Sequence, residues 1–381
     1  MNQTIRKITK MTYGLNDISL VPARVSRVEH RSDCNVYNFD NMLPLFTAPM
    51  NSVINEYNYE VFLANRINTI IPRGVDYDKR FELSNKTFVA FGLAEFEQFI
   101  KDFSAIFDTT EDTHYVCIDV ANGHMRKLID LCTSAKEQFR GRLLLMTGNI
   151  ANPDTYTDYA LAGIDFIRVG IGGGSVCTTS ANGGVHYGMA SLIRRVSEVK
   201  WSVQQSIKEA EQLRISCPYK SIPFIIADGG FDNYDKIIKA LALGADYVMI
   251  GKIFAQCEEA CGEIKTLQAV CIDGITDRYP ELPSNVNWEF DDNELVYKTK
   301  YRFYYGMSTK RAQVENRNSK LKTAEGIEIT VPILYNLPQW CENFIDYLRS
   351  MMSYTDSLTL EEFQNANYVI ISPAEYLTYY K

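Results

Sequence analysis

No apolar run in this sequence approaches the roughly 18 residues needed to cross a bilayer, and the opening MNQTIRKITK lacks the apolar core of a secretory signal. A membrane-spanning helix is excluded on that ground, and residence in the cytoplasm is the expectation. Basic residues are outnumbered: 39 Lys and Arg stand against 47 Asp and Glu, a formal charge of -8. That balance argues against general affinity for nucleic acid or anionic membranes and leaves room only for a local basic pocket. Paired cysteine spacing is missing too. The nine cysteines are scattered singly, as suits a reducing compartment. Cys257 and Cys261 lie one helical turn apart, but two thiolates do not complete a zinc site, so they read as core packing. No low-complexity stretch occurs, and no repeat beyond a strand-helix unit.

What is present is a chain of 381 residues, 46% hydrophobic and 23% charged, able to bury a sizeable core. Eight short apolar runs recur: LFTA, TIIP, FVAFG, YVCIDV, RLLLMTG, FIRVG, FIIADG and YVMIGK. Their starts are mostly about 20 to 30 residues apart, the length of one βα unit, and segments such as EFEQFIKDFSAIF between them carry apolar residues at helical spacing. Continuous apolar strands belong in a parallel sheet buried on both faces. The pattern predicts an α/β fold, a (β/α)8 TIM barrel, with an open doubly wound sheet as the alternative.

A single barrel domain over residues 1–381 is expected, with extended loops. One insertion falls near 195–220, within a polar helical stretch between the sixth and seventh strands, and another at 264–300. The second reads as an excursion over the surface, with a lid or a subunit contact as the other possibility. A C-terminal extension ends in a helix within QWCENFIDYLRSMMSYT and a short strand, NYVIIS.

Several strands run directly into residues suited to ligands: PMNS, PRG, DVANG, TGN, GIGGGSVCTT, ADGG and GK. A barrel gathers all of these at its C-terminal rim, with the last two at the usual phosphate position. Cys177 sits in a glycine-rich turn whose backbone amides suit an anion or a thiolate. Read alone, it fits either a nucleophile or a small residue buried in a turn. Thr178 or Thr179 could relay a proton, but neither is basic enough to activate the thiol unaided. Asp228 at a strand end suits ribose hydroxyls, and Gly229, Gly230, Gly251 and Lys252 suit a phosphate. Asp119 and Asn122 fit either a ligand site or a helix cap.

The set YGLNDISLVPA, DVANG, GIG-x-GSVCTT, ADGG, ALGADYVMIG, YYGMS and Glu325-Gly326 resembles the IMP dehydrogenase and GMP reductase family, in this order along nearly the whole chain. The early barrel strands leave no room for the regulatory insert of the dehydrogenases, and Glu-Gly rather than Gln-Gly in the late loop points to the reductase branch. The resemblance implies NADPH-dependent reductive deamination of GMP, or a close purine nucleotide analogue, to IMP and ammonia through a covalent cysteine thioimidate. Alternatives are an IMP dehydrogenase without its insert and a nucleotide-binding regulator that has lost catalysis.

By matching motif, Cys177 is the implied nucleophile, with Thr179 and Glu325 handling protons. Ser175, Asp228, Gly229, Gly230, Gly251 and Lys252 are implied for ribose and phosphate, and Met307, Ser308 and the loop from Lys322 to Gly326 for the base. Arg73, Asp119, Val120, Ala121, Ile171 and Gly172 are implied for the nicotinamide cofactor, as are Ser350, Met351, Met352 and Ser353, with His30 and Arg31 reaching a neighbouring subunit of a homotetramer. A monovalent cation such as K+ is implied on the carbonyls of Gly172, Gly174 and Cys177. The chain departs from the pattern at Gly173 (usually Pro), Ser180 (usually Arg), Lys322 and Ala324 (Arg and Ser in the reductase loop) and Asn51 (often Asp). Lysine lacks arginine's planar bidentate fork, so the departures bear on recognition of the base.

Overall fold

A computed structural model describes residues 11–270, 288–291, 294–316 and 323–379. A short strand, β1 (Ile18–Leu20), precedes eight strands that form one all-parallel sheet. These are β2 (Leu45–Thr47), β3 (Ile70–Ile71), β4 (Phe88–Phe91), β5 (His114–Asp119), β6 (Leu143–Ile150), β7 (Phe166–Val169), β8 (Phe224–Asp228) and β9 (Tyr247–Ile250). They correspond one for one to the eight apolar runs of the sequence. Hydrogen-bonded neighbours follow the order β2-β9-β8-β7-β6-β5-β4-β3. The ring closes just ahead of β3, where Thr47 N–H donates to Asn68 O at 2.9 Å and Asn68 N–H donates to Leu45 O at 3.1 Å. With helices between successive strands, the fold is a (β/α)8 barrel.

Every residue of β4 and of β9 is buried, because one face meets the barrel interior and the other the surrounding helices. The helix Leu93–Ile106 buries Phe96, Phe99 and Phe103, whose spacing sets them along one stripe. Its start is secured by Glu95, whose carboxylate accepts the Gly92 N–H at 2.7 Å. At the strand entries, on the rim opposite the ligand-suited loops, carboxylates brace the sheet. Asp165 before β7 accepts from Lys136 Nζ and from Leu145 N–H, both at 2.7 Å. Asp246 before β9 does the same with Lys200 Nζ at 2.7 Å and Ile225 N–H at 2.6 Å.

Between β7 and β8 the polar stretch is one helix of 25 residues, Met189–Leu213. Its first half buries Met189, Ala190, Leu192, Ile193 and Val196; its second half buries only Val203 and Ala210. That second half stands in solvent, with Trp201 61% and Leu213 69% exposed.

Beyond β9, the described residues form an antiparallel sheet of β10 (Ile264–Val270), β11 (Trp288–Asp291), β12 (Glu294–Tyr305) and β13 (Glu328–Pro332), ordered β10-β12-β11 with β13 also on β12. Residues 271–287 and 292–293 of the 264–300 segment lie outside the described residues. The end of β12 carries the YRFYY string onto the barrel, burying Tyr304 and Tyr305. Arg302 fastens it there by donating to the carbonyls of Ala255, Cys257 and Gly262 at 2.7, 2.5 and 3.1 Å. The last long helix is Leu337–Tyr354, buried through Trp340, Phe344 and Leu348 among others. The terminal strand β14 (Tyr368–Ile370) pairs antiparallel with β1.

Candidate active site

The C-terminal ends of the barrel strands open into a cavity of about 1070 Å³. Parallel strands all point the same way, so loops distant in sequence meet on one rim. The glycine-rich loop after β7 forms one wall, Asp228 to Gly230 at the end of β8 the next, and Gly251 with Lys252 after β9 the one beyond; Met307, Ser308 and Glu325 come from the connection between β12 and β13.

The cysteine loop is built by its own backbone. Cys177 N–H donates to Gly174 O at 3.0 Å, and Ser180 Oγ donates to Gly172 O at 2.9 Å. Gly172 has φ +77, and a Cβ there would lie 2.6 Å from that of Ser180, so the turn requires glycine. Cys177 and Gly326 then form an antiparallel bridge: Thr178 N–H donates to Glu325 O at 2.9 Å and Ile327 N–H to Val176 O at 3.0 Å. Gly326 has to be small, since a Cβ would meet Val176 O and Ser308 Oγ at 3.0 Å.

This bridge aligns three side chains. Cys177 Sγ lies 3.3 Å from Thr179 Oγ1, which donates to Glu325 Oε2 at 3.0 Å. A thiol, a hydroxyl and a carboxylate in sequence make a path along which a proton can travel. Glu325 is exposed and Cys177 half-buried. Burial pushes the thiols of Cys117, Cys132, Cys261 and Cys341 up to about 12, which holds them protonated. Cys261 donates to Asn51 O and buried Cys257 to Ile253 O. Of the described cysteines, Cys177 alone lines the cavity.

The floor is ionic. Arg168, from the middle of β7, donates through Nη1 to Asp119 Oδ1 at 2.6 Å and through Nε and Nη2 to Asp228 Oδ2 at 3.1 and 2.9 Å. Burial opposes the guanidinium charge, but Asp228 and then Asp119 overcome it and hold the group well above its ordinary value. Asn149, at the end of β6, donates to the same Asp228 oxygen at 2.7 Å and to Gly170 O at 2.8 Å. Asn149 belongs to the ligand-suited TGN, whereas Arg168 did not stand out as a site residue in the sequence. The signal was the lone arginine of FIRVG, since a charge in a strand buried on both faces needs carboxylate partners. Asn122, weighed with Asp119 as a cap, accepts the His124 N–H at 3.0 Å in its own turn.

Beside Asp228 the cavity turns cationic. Gly229 packs so closely on Gly174 that a Cβ would lie 3.1 Å from its nitrogen. Lys252 lines this end, as does Lys236, which is paired with Asp232 at 2.7 Å. Tyr304, another wall residue, is in hydrogen-bonding contact with Ser175, and burial raises its phenol above the ordinary range. At the opposite end, Gln313 Nε2 donates to Ser308 O at 3.0 Å.

The residues implied for a nicotinamide cofactor divide into two groups. Arg73, Asp119, Val120, Ala121, Ile171 and Gly172 line the cavity, and Arg73 Nε donates to Glu95 at 3.1 Å. His30, Arg31 and Ser350 to Ser353 do not line it. Arg31 and Ser350 meet each other instead, with Arg31 Nη1 donating to Ser350 Oγ at 3.3 Å and Nη2 to Asp346 at 3.2 Å. Lys322 lies outside the described residues. The three carbonyls implied for a cation belong to one short turn and are neutral, a donor set suited to a single positive charge; those of Gly172 and Gly174 each already accept one hydrogen bond.

Comparison with known proteins agrees with this geometry. The model of the IMP dehydrogenase / GMP reductase domain matches residues 78–273. The chain is 26% identical over 380 residues to a GMP reductase of Onchocerca volvulus, covering 94% of this chain and 90% of that one. It is also 26% identical over 365 residues to a GMP reductase of Streptococcus pyogenes serotype M5 (strain Manfredo), covering 94% and 95%. An inosine-5'-monophosphate dehydrogenase of Chlorobaculum parvum is 30% identical over 273 residues, covering 68% of this chain and 45% of the relative.

Proposed function

Since the chain belongs to the IMP dehydrogenase / GMP reductase family, we propose that it is an oxidoreductase that converts GMP to IMP and ammonia with NADPH. The observation that carries this reading is the Cys177–Thr179–Glu325 relay, set in one cavity with Asp228 and the lysine-bearing end. Cys177 passes its proton through Thr179 to Glu325 and adds as thiolate to C2 of the guanine, and the amino group departs as ammonia with that proton returned from Glu325 through Thr179. The base stays bound to sulfur as a thioimidate. NADPH, when bound, supplies hydride to that carbon. The carbon–sulfur bond then breaks and the electron pair returns to Cys177, so one residue divides a hard displacement into two easier steps.

Asp228 is suited to ribose hydroxyls, and Gly229, Gly230, Gly251 and Lys252 to the phosphate. Met307, Ser308, Gly326 and Lys322 are assigned to the base. Arg73, Asp119, Val120, Ala121, Ile171 and Gly172 share the cavity with Cys177 and fit the nicotinamide cofactor. Gly172, Gly174 and Cys177 would hold K+ through their carbonyls. His30, Arg31 and Ser350 to Ser353 stand off the cavity of their own chain, which supports completion of a neighbouring subunit's cofactor site in a homotetramer.

A second reading, oxidation of IMP, draws on the Chlorobaculum parvum relative, but Glu325 in place of glutamine favours the reductase. Mass spectrometry of the products formed from GMP and NADPH tests the proposal, with IMP and ammonia expected. Cys177→Ala should abolish turnover while GMP still binds. Turnover retained in that variant, or a strong preference for a nucleotide other than GMP across a panel, would falsify the assignment.

A further inference from the structure

Two carboxylates assigned to different ligands are held by one buried side chain. We propose that Arg168 is a positioning residue that couples the nucleotide and nicotinamide subsites, so that a change at Asp119 alters the affinity for a ligand at Asp228. The inference rests on the functional reading above, which gives Asp228 to the nucleotide ribose and Asp119 to the cofactor.

The guanidinium is a rigid plane that spans both partners, Nη1 on Asp119 and Nε with Nη2 on Asp228. A planar fork cannot tighten on one carboxylate without loosening on the other. Three donors converge on Oδ2 of Asp228, two from Arg168 and one from Asn149, while Oδ1 accepts none of them. Ribose hydroxyls are therefore left Oδ1, whose direction and share of the carboxylate charge are set by how firmly the arginine fork holds Oδ2. Water offers little compensation, because the Arg168 side chain is 9% exposed and each aspartate 15%. In so dry a network a bond lost at one carboxylate is passed through the guanidinium to the other. Neutralising Asp119 lets the fork settle fully on Asp228, which then has less capacity for the ribose. A lysine keeps the charge but lacks the fork, and breaks this link.

Calorimetric titration of GMP, with no nicotinamide present, into wild type, Asp119→Asn, Arg168→Lys and the double variant tests the coupling. Asp119→Asn should weaken GMP binding by roughly fivefold or more, the scale of ordinary coupling between sites, although Asp119 belongs to the other subsite. In the Arg168→Lys background the same substitution should change GMP affinity by less than about twofold, as for independent sites. An equal change in both backgrounds, or no change in Asp119→Asn alone, overturns the coupling; a purely structural role for Arg168 would lower thermal stability without this cross-term. Should Arg168→Lys not fold, the reciprocal measurement decides: Asp228→Asn should shift NADP+ affinity by a comparable factor, and an unchanged NADP+ affinity overturns the proposal. GMP failing to bind the wild type would overturn the proposed function itself and the coupling with it, whereas GMP binding without the cross-term overturns the coupling alone.

Discussion

Thr179 donates its hydroxyl to Glu325 at 3.0 Å across 146 positions of sequence, and the same oxygen lies 3.3 Å from Cys177 Sγ. Thr179→Val keeps the shape and removes the relay. Its kcat should fall by about 10²- to 10⁴-fold, the usual worth of a positioned proton carrier, with the KM for GMP little changed. Steady-state NADPH oxidation measures both parameters, and a rise in KM at unchanged kcat would mean that the hydroxyl only helps to bind.

Gly172 sits at φ +77 against Ser180. Gly172→Ala is expected to cost about 1–3 kcal/mol of stability through backbone strain. Its larger effect should be on turnover, with kcat down at least about tenfold, because a loop displaced by an ångström misplaces the thiol. Urea unfolding and kinetics on the same preparation separate the two.

Burial works against the Glu95 charge, but the hydrogen bond and charge of Arg80, the Gly92 N–H and Arg73 overcome it, holding the carboxyl below its ordinary 4.5. On acidification the unfolded chain takes up this proton first, so the stabilisation is complete above about pH 4.5 and is lost as pH falls through the lower folded value. Glu95→Gln should lose about 2 kcal/mol at neutral pH, less than for a fully buried pair because Glu95 is 30% exposed. The difference from wild type should shrink below pH 4. A gap that is independent of pH in denaturation titrations would show that the charge is not what matters.

Lys136 tests the opposite rim. Burial already raises the Asp165 carboxyl, and Lys136 is the cation that counters it. Lys136→Met should lower stability by about 3 kcal/mol, with kcat and KM unchanged at a temperature where the variant is folded. Loss of activity in a stable variant would mean that the two rims are not independent.

How much of this was legible in the sequence follows from which contacts are local. Each barrel strand announced itself as a buried apolar run ending in small or polar residues, because the two faces of a parallel strand meet the same kind of surroundings. The C-terminal helix was legible from apolar residues at helical spacing, and the terminal strand from its short β-branched run, although that strand is exposed and pairs antiparallel with β1. The sheet of β10 to β13 was not, since its order depends on antiparallel partners far apart in the chain and on Arg302 reaching carbonyls of the barrel. At the site, loop chemistry marked Cys177 and Asp228, and family likeness joined Glu325 to them. Arg168 was hidden because strand periodicity counts it as an interruption, and its meaning appears only once β5 and β8 bring carboxylates to it. The meeting of Arg31 with Ser350 was beyond reach for the same reason.

Main-chain pairing of Cys177 with Gly326 welds the loop that carries the proposed nucleophile to the loop that carries the proposed acid. Any hinge that opens the pocket for a ligand must swing both segments together or sever two amide links. In the proposed reaction, admission of the nucleotide and assembly of the proton route are therefore separate events, and the chemical step inherits a track laid before its passenger arrives.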